Sequence, residues 1–289
     1  LNGFLLVNKP EGPSSFDVVK ITRKALNIRK IGHSGTLDPL ASGLMILAVG
    51  DATRLLPFLP SEPKTYYFKV QFGETTDSLD RGGDVCERCN IIPTEKEIIA
   101  SLDHFSGIVT QTPPKYSAIK IKGRRAYHLA RRKKDFKIPD KKVKIFSLQL
   151  REYDNNRGEA FFKTVCSRGT YIRSLSRDIA EIAGTLGYAS KIHRTEIGDF
   201  SIKDAVPLKE IELNAKKNII QIHKAFRSFP SYIASPEQIK DISVGRDIVI
   251  DNYNHIWRLF IYSSKKDLVA LGEKVSKNRY HPKKVFFRS

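Results

Sequence analysis

The sequence predicts an α+β protein: a mixed sheet flanked by helices, followed by a small β-rich C-terminal unit. Three observations carry that expectation. Helical and strand-like stretches alternate without the regular βαβ repeat that builds parallel sheets. Neither G-x-G-x-x-G nor a P-loop occurs, so a nucleotide-cofactor fold has no support. Near Phe229-Pro230 the texture changes to short apolar runs separated by turns. The expected units are residues 1–228, with a basic insertion at about 116–144, and residues 229–289.

The elements follow in order. Residues 3–7 read as a short buried strand. Ser14 to Asp17 has the pattern of a capping box, opening a helix whose apolar face is Val18, Val19, Ile21, Ala25 and Leu26. Residues 30–43 form a polar, glycine-rich segment. Residues 44–49 are continuously apolar between Gly43 and Gly50, as a central strand is. Tyr66, Phe68, Val70 and Phe72 alternate onto one face of a strand, which turns Tyr67 to the other. Ile98, Ile99, Leu102 and Phe105 give a helix over residues 95–105. Residues 143–153 and 159–165 are strands joined by Asp154-Asn155-Asn156-Arg157-Gly158, a hairpin-turn sequence. Ile172, Leu175, Ile179 and Ile182 pattern a helix over residues 172–183. In the tail, residues 247–250, 256–262 and 267–271 read as strands. A unit of about 60 residues has a thin core and leans on its neighbour.

Composition narrows the function. The 289 residues carry 50 Lys and Arg against 31 Asp and Glu, a net charge of +19. That surplus favours a polyanionic partner, nucleic acid first. It is unevenly placed: residues 120–144 hold twelve Lys or Arg and only Asp135 and Asp140 as acids, a local +10. Such a segment stays exposed and binds phosphates by counterion release. Lys120, Lys122, Arg124, Arg125, Arg131 and Arg132 are its candidate RNA contacts, with Tyr127 and Phe136 interleaved for base stacking. No apolar run approaches the roughly 18–20 residues of a membrane span, and the N-terminal residues lack signal-peptide features. Three cysteines make no disulfide scaffold and fit a reducing cytoplasm. Cys86-x-x-Cys89 has no second ligand pair for zinc and reads as a hairpin that carries two thiols.

Four stretches concentrate the chemistry: residues 7–15, residues 32–43 (G-H-S-G-T-L-D-P-L-A-S-G), residues 64–67 with 73–80, and residues 167–175. Singly, each has an ordinary reading. Asp38-Pro39 suits a turn, and Arg173 suits a helix end. Together, and in this order, they resemble the TruB family of pseudouridine synthases, which convert uridine 55 of tRNA to pseudouridine. The resemblance runs from Gly3 to about Val206, and residues 32–43 carry it most specifically.

The resemblance implies a mostly antiparallel pseudouridine synthase-like sheet, a thumb insertion at the basic segment and a PUA-like tail. It implies Asp38 as the catalytic carboxylate, Arg173 as the guanidinium that keeps it charged and aimed, and Tyr66 as the aromatic that stacks on the base and can take the C5 proton. Tyr171 and Ile192 line the pocket, His33 fills the space of the flipped nucleotide, and Lys9 supports the site. The reaction needs no cofactor and no metal. The implied partner is the tRNA T-arm, with no membrane, no obligate protein partner and a monomeric, cytoplasmic enzyme. Where the family has Leu-Arg-Arg-Thr, this chain has Ile192-His193-Arg194-Thr195, which puts a phosphate contact at His193 in question. The rival readings are a guide-RNA-dependent relative, a non-catalytic RNA-binding protein and a nucleosidase.

Overall fold

The computed structural model describes residues 1–289 apart from 118, 122, 133–135, 254 and 287–289. Strand β1 (Gly3–Lys9) leads into helix α1 (Ser15–Leu26). Ser14 caps that helix: its hydroxyl accepts the Asp17 N–H, and the Asp17 carboxylate accepts the Ser14 N–H. The buried stripe is Ser15, Val18, Val19 and Thr22, while Ile21 lies outside it. Thr22 tolerates burial because its hydroxyl donates to the Val18 carbonyl at 2.8 Å.

Within the polar, glycine-rich segment of residues 30–43 lies a strand, β2 (Ile31–Ser34), paired antiparallel with β3 (Ala41–Val49). Hydropathy hides it because only Ile31 is apolar, and the ladder comes from β3's backbone. Strand β4 (Lys64–Phe72) buries Tyr66, Phe68, Val70 and Phe72 on one face, and Tyr67 projects from the other to stack on Phe161. Strands β5 (Glu74–Thr76) and β6 (Val85–Arg88) form a surface hairpin carrying Cys86. Helix α2 (Glu95–Leu102) ends in a 3₁₀ turn, and strand β7 (Gly107–Gln111) follows. The basic segment folds as a small hairpin, β8 (Lys120–Ile121) with β9 (Arg124–Arg125), and helix α3 (Ala126–Arg131).

Strands β10 (Lys141–Asp154) and β11 (Glu159–Cys166) make the expected hairpin, and helix α4 (Ile172–Ile182) packs behind it. Strand β12 (Gly187–Ile197) lies between β3 and β4. Short strands β13 (Phe200–Ser201) and β14 (Val206–Pro207) and helices α5 (Ile211–Asn214) and α6 (Ile222–Ala225) lead to the tail. There β15 (Ser231–Ile233), helix α7 (Pro236–Ser243), β16 (Ile248–Val249), β17 (Arg258–Tyr262), β18 (Leu268–Ser276) and β19 (Arg279–Val285) form a second sheet with one helix.

The main sheet runs β14-β1-β3-β12-β4-β11-β10-β7, with β2 on β3 and β13 on β12. Only β1–β14 and β3–β12 are parallel within it, so the sheet is mixed and mostly antiparallel. One face meets α1 and α4 through Leu5, Val7, Met45, Leu47, Phe68, Phe162, Leu175 and Ile179. The other face of β1 and β3, through Phe4, Leu6, Leu44 and Ile46, packs on Phe226, Phe260, Tyr262 and Leu271. Those two strands are therefore apolar on both sides, which is why they read as continuous hydrophobic runs. Among the described residues no helix is long and apolar enough to cross a membrane.

Candidate active site

Asp38 sits in the turn between β2 and β3. Two supports fix that turn. The Lys9 ammonium is fully buried and donates to the carbonyls of Pro10 (2.9 Å), Pro13 (2.9 Å) and Pro39 (3.2 Å), and Gly12 N–H donates to Pro39 at 2.8 Å. All three Lys9 protons are thereby used on main chain. Lys9 holds the residue after Asp38 and does not itself line the cleft. Ser15 then ties the other side, its hydroxyl donating to the Leu37 carbonyl and accepting the Leu37 N–H, both at 2.8 Å.

The Asp38 carboxylate meets Arg173 at 2.9 Å. Arg173 comes from the first turn of α4 and its side chain is only 4 % exposed, against 41 % for Asp38. Its guanidinium is held in place by four acceptors: Asp38, the Tyr116 carbonyl (2.9 Å), the Ser78 carbonyl (2.8 Å) and the Asp80 carboxylate (3.4 Å). Asp80 is itself fixed by the Ser78 hydroxyl at 2.7 Å and the Gly82 N–H at 3.0 Å. The stretch from Gly73 to Asp80 thus acts on the site through Arg173. A fork gripped this way presents one fixed face to Asp38, which stays accessible.

The cleft beside this pair has a volume of about 270 Å³, room for a single base and its sugar. Tyr66, Ile192, Ala41 and Lys64 line it with Tyr171, Ser117 and the residues around Asp38. Burial raises the Tyr66 phenol above its ordinary value and keeps it protonated, and Arg194 lies beside it. Burial likewise raises Tyr171. The Tyr171 backbone is clamped by Gln111, whose amide accepts the Tyr171 N–H at 2.8 Å and donates to its carbonyl at 3.1 Å. Arg194, fully buried on β12, donates to the carbonyls of Leu44 (2.9 Å) and Gly35 (3.3 Å). Gly43 permits that approach: it has φ 112° and a Cβ there would stand 2.2 Å from the Arg194 carbonyl oxygen.

His33 lies on β2, near Arg194, and does not line the cleft. Burial lowers its basicity, so its imidazole stays neutral near pH 7. His193 turns to the opposite sheet face, where its Nδ1 pairs with the Ser42 hydroxyl at 2.9 Å. In the basic segment Lys120, Arg124, Arg125 and Arg132 are exposed, whereas Lys122 and the Arg131 side chain lie outside the described residues. Cys86 and Cys89 are free thiols, and no group of three or more metal-ligating side chains occurs among the described residues.

Sequence reasoning missed Gln111 and gave no role to three residues inside its marked stretches, Asp80, Lys64 and Arg194. For the last two a signal existed, since both are charged residues in phase with buried neighbours on their strands. For Asp80 and Gln111 nothing local marks their targets, which lie far along the chain.

Comparison with known proteins agrees with the architecture. The family model "TruB family pseudouridylate synthase (N terminal domain)" matches residues 23–172. The tRNA pseudouridine synthase B of Aquifex aeolicus (strain VF5) is 37 % identical over 275 residues, covering 94 % of this chain and 96 % of its own. That of Rickettsia bellii (strain OSU 85-389) is 36 % identical over 290 residues, covering 98 % and 97 %. Among solved structures, a Cbf5-Nop10-Gar1 complex superposes with a TM-score of 0.72 at 24 % identity, over 99 % of this chain and 85 % of that one, a likeness of fold. The helix-backed mixed sheet, the second β-rich sheet and full-length relatives above 30 % identity lead to one conclusion: the chain belongs to the TruB family of pseudouridine synthases.

Proposed function

We propose that this chain is a tRNA pseudouridine synthase that isomerises uridine 55 in the T-loop. The observation that carries this reading is the Asp38 carboxylate, paired with buried Arg173 at the lip of a cleft walled by Tyr66 and Ile192. Relatives named tRNA pseudouridine synthase B support it along nearly the whole chain.

The reaction breaks the C1′–N1 bond, turns the base and forms C1′–C5, with the C5 proton leaving and N1 gaining one. It is an isomerisation, so no oxidant or second substrate enters the balance. Asp38 supplies an ionised carboxylate as nucleophile or base. Arg173, 2.9 Å away, holds it in one direction. Tyr66 stacks on the base, and Ile192 and Tyr171 confine it. The neutral phenol of Tyr66 is a weak base, so stacking is the larger part of its role. The target nucleotide leaves the loop to reach Asp38, at a cost of a few kcal/mol, and His33 stabilises that arrangement. Lys9 supports the Asp38 turn.

Lys120, Lys122, Arg124, Arg125, Arg131 and Arg132 form the thumb that grips the T-arm phosphates. In this reading the catalytic unit spans residues 1–228 and a PUA-like RNA-binding unit spans residues 229–289. The enzyme works as a cytoplasmic monomer without cofactor or protein partner. Tritium release from tRNA carrying 5-tritiated uridine tests the proposal. The native chain should release about one equivalent per tRNA, and Asp38→Asn should release none. Tight tRNA binding without release would replace the enzyme with an RNA-binding protein.

A further inference from the structure

Two lysines are buried near Asp38, and they differ in one respect. Lys9 has a carbonyl for each proton. Lys64 has none: its ammonium donates no hydrogen bond and forms no ion pair among the described residues, yet the residue is 9 % exposed and lines the cleft. The groups around it do not neutralise it. Arg194 and Lys141 are cations, and the buried Cys166 thiol is pushed up to about 11 and stays uncharged. The one acid, Glu62, is an exposed residue that accepts the Arg168 N–H at 3.0 Å. Gly35, on the Asp38 loop, keeps the space beside the amine free, since a Cβ there would lie 3.2 Å from Nζ. A cation on a residue this far buried, open to the cleft and without a protein acceptor, is costly, and such groups concentrate where a ligand completes them.

The missing acceptor can be named from the chemistry. Lys64 shares the cleft wall with Tyr66 and Ile192, the residues to which the synthase reading assigns the base, while Asp38 is the more exposed residue. Every order of steps open to Asp38 puts negative charge on the base. Addition of the carboxylate to C6 sends an electron pair into the C4 carbonyl as an enolate. Cleavage of C1′–N1, with or without prior loss of a sugar proton, leaves the pair on N1, shared with the O2 and O4 carbonyls. We propose that Lys64 donates to a carbonyl oxygen of the target uracil and stabilises the negative charge that the ring gains during the reaction. This rests on the synthase reading above. Arg194, already engaged by two carbonyls, adds to the field.

The test uses the full chain and whole tRNA and compares native protein with Lys64→Met and Lys64→Arg. Single-turnover tritium release gives the chemical step, and tRNA titration gives affinity. Lys64→Met should slow release by about 10²-fold or more, as loss of one such donor does, with affinity within about threefold. Lys64→Arg should regain at least tenfold of that loss. The native amine is lowered to about 8 by burial and by Arg194. It is charged below that pH, so native kcat/KM should fall as pH rises through about 8, and Lys64→Arg should remove that fall. A Lys64→Met rate within threefold of native overturns the proposal. So does a loss confined to affinity with a changed salt slope, which marks a phosphate contact. An alkaline fall that persists in Lys64→Arg also overturns it and points to Lys9, which burial likewise lowers to about 8. If Lys64→Met fails to fold, the Lys64→Arg pH profile decides. A native chain that releases no tritium from any tRNA removes the synthase reading itself.

Discussion

The cleft around Asp38 and the basic segment near Arg124 both depend on charge, and they use it in opposite ways. In the cleft, Arg173 is buried, gripped by four acceptors, and meets a carboxylate at a fixed distance. In the segment, Lys120, Arg124, Arg125 and Arg132 are exposed on a two-stranded hairpin and a one-and-a-half-turn helix. Low dielectric and fixed geometry make the first set suited to chemistry at one bond. Solvent and many rotamers make the second suited to a diffuse polyanion, where number matters more than placement. The difference teaches where to expect losses in rate and where to expect losses in affinity.

The sharpest break of that contrast is Asp38→Asn. It should lower the chemical step by at least about 10⁴-fold and leave tRNA affinity within a few-fold, read by single-turnover tritium release and a binding titration. Next comes Asp80→Asn, which touches no substrate. Loosening Arg173 should cost about 10²-fold in the same step, again without a change in salt dependence. If affinity fell instead, the two regions would not be separable in this way. Arg124→Ala and Arg125→Ala should act from the other side. Each should weaken binding and reduce the slope of log K against log salt by about 0.7–0.9 per lost phosphate contact, with the saturated rate unchanged. The smallest effect belongs to Cys86→Ser with Cys89→Ser: free thiols, one on a surface hairpin and one half-buried just past it, predict a melting free energy within about 0.5 kcal/mol of native and an unchanged rate.

Most helices and strands were legible because their apolar residues keep one period. The β4 alternation of Tyr66, Phe68, Val70 and Phe72 survives intact in the structure. Strand β12, the neighbour of both β3 and β4, was not legible. Its inward positions include Arg194, whose burial is met by hydrogen bonds to the carbonyls of Leu44 and Gly35, and its outward positions are polar, so the pattern breaks where the fold is most central. Helix α7 had its signals in plain view, Ser235 as cap, Pro236 in the first turn and Gln238 completing the box, but the tail's strand texture masked them. In the site, Asp38 and Arg173 stood out only through resemblance. The partners that hold them, Asp80 for Arg173 and Gln111 for Tyr171, act across 93 and 60 residues of chain, beyond any local pattern.

The double burial of β1 and β3 bears on how the tail can be studied. Phe260, Tyr262 and Leu271 cover Phe4, Leu6, Leu44 and Ile46, on the strand that follows the Asp38 turn and on its neighbour β1, which ends at Lys9. Cutting the chain near residue 230 would therefore uncover a greasy strip on the main sheet. A truncated protein that clumps or melts early would mimic one that has lost an RNA contact. Separating the two needs substitutions on the tail's outer surface, with Phe260, Tyr262 and Leu271 left in place.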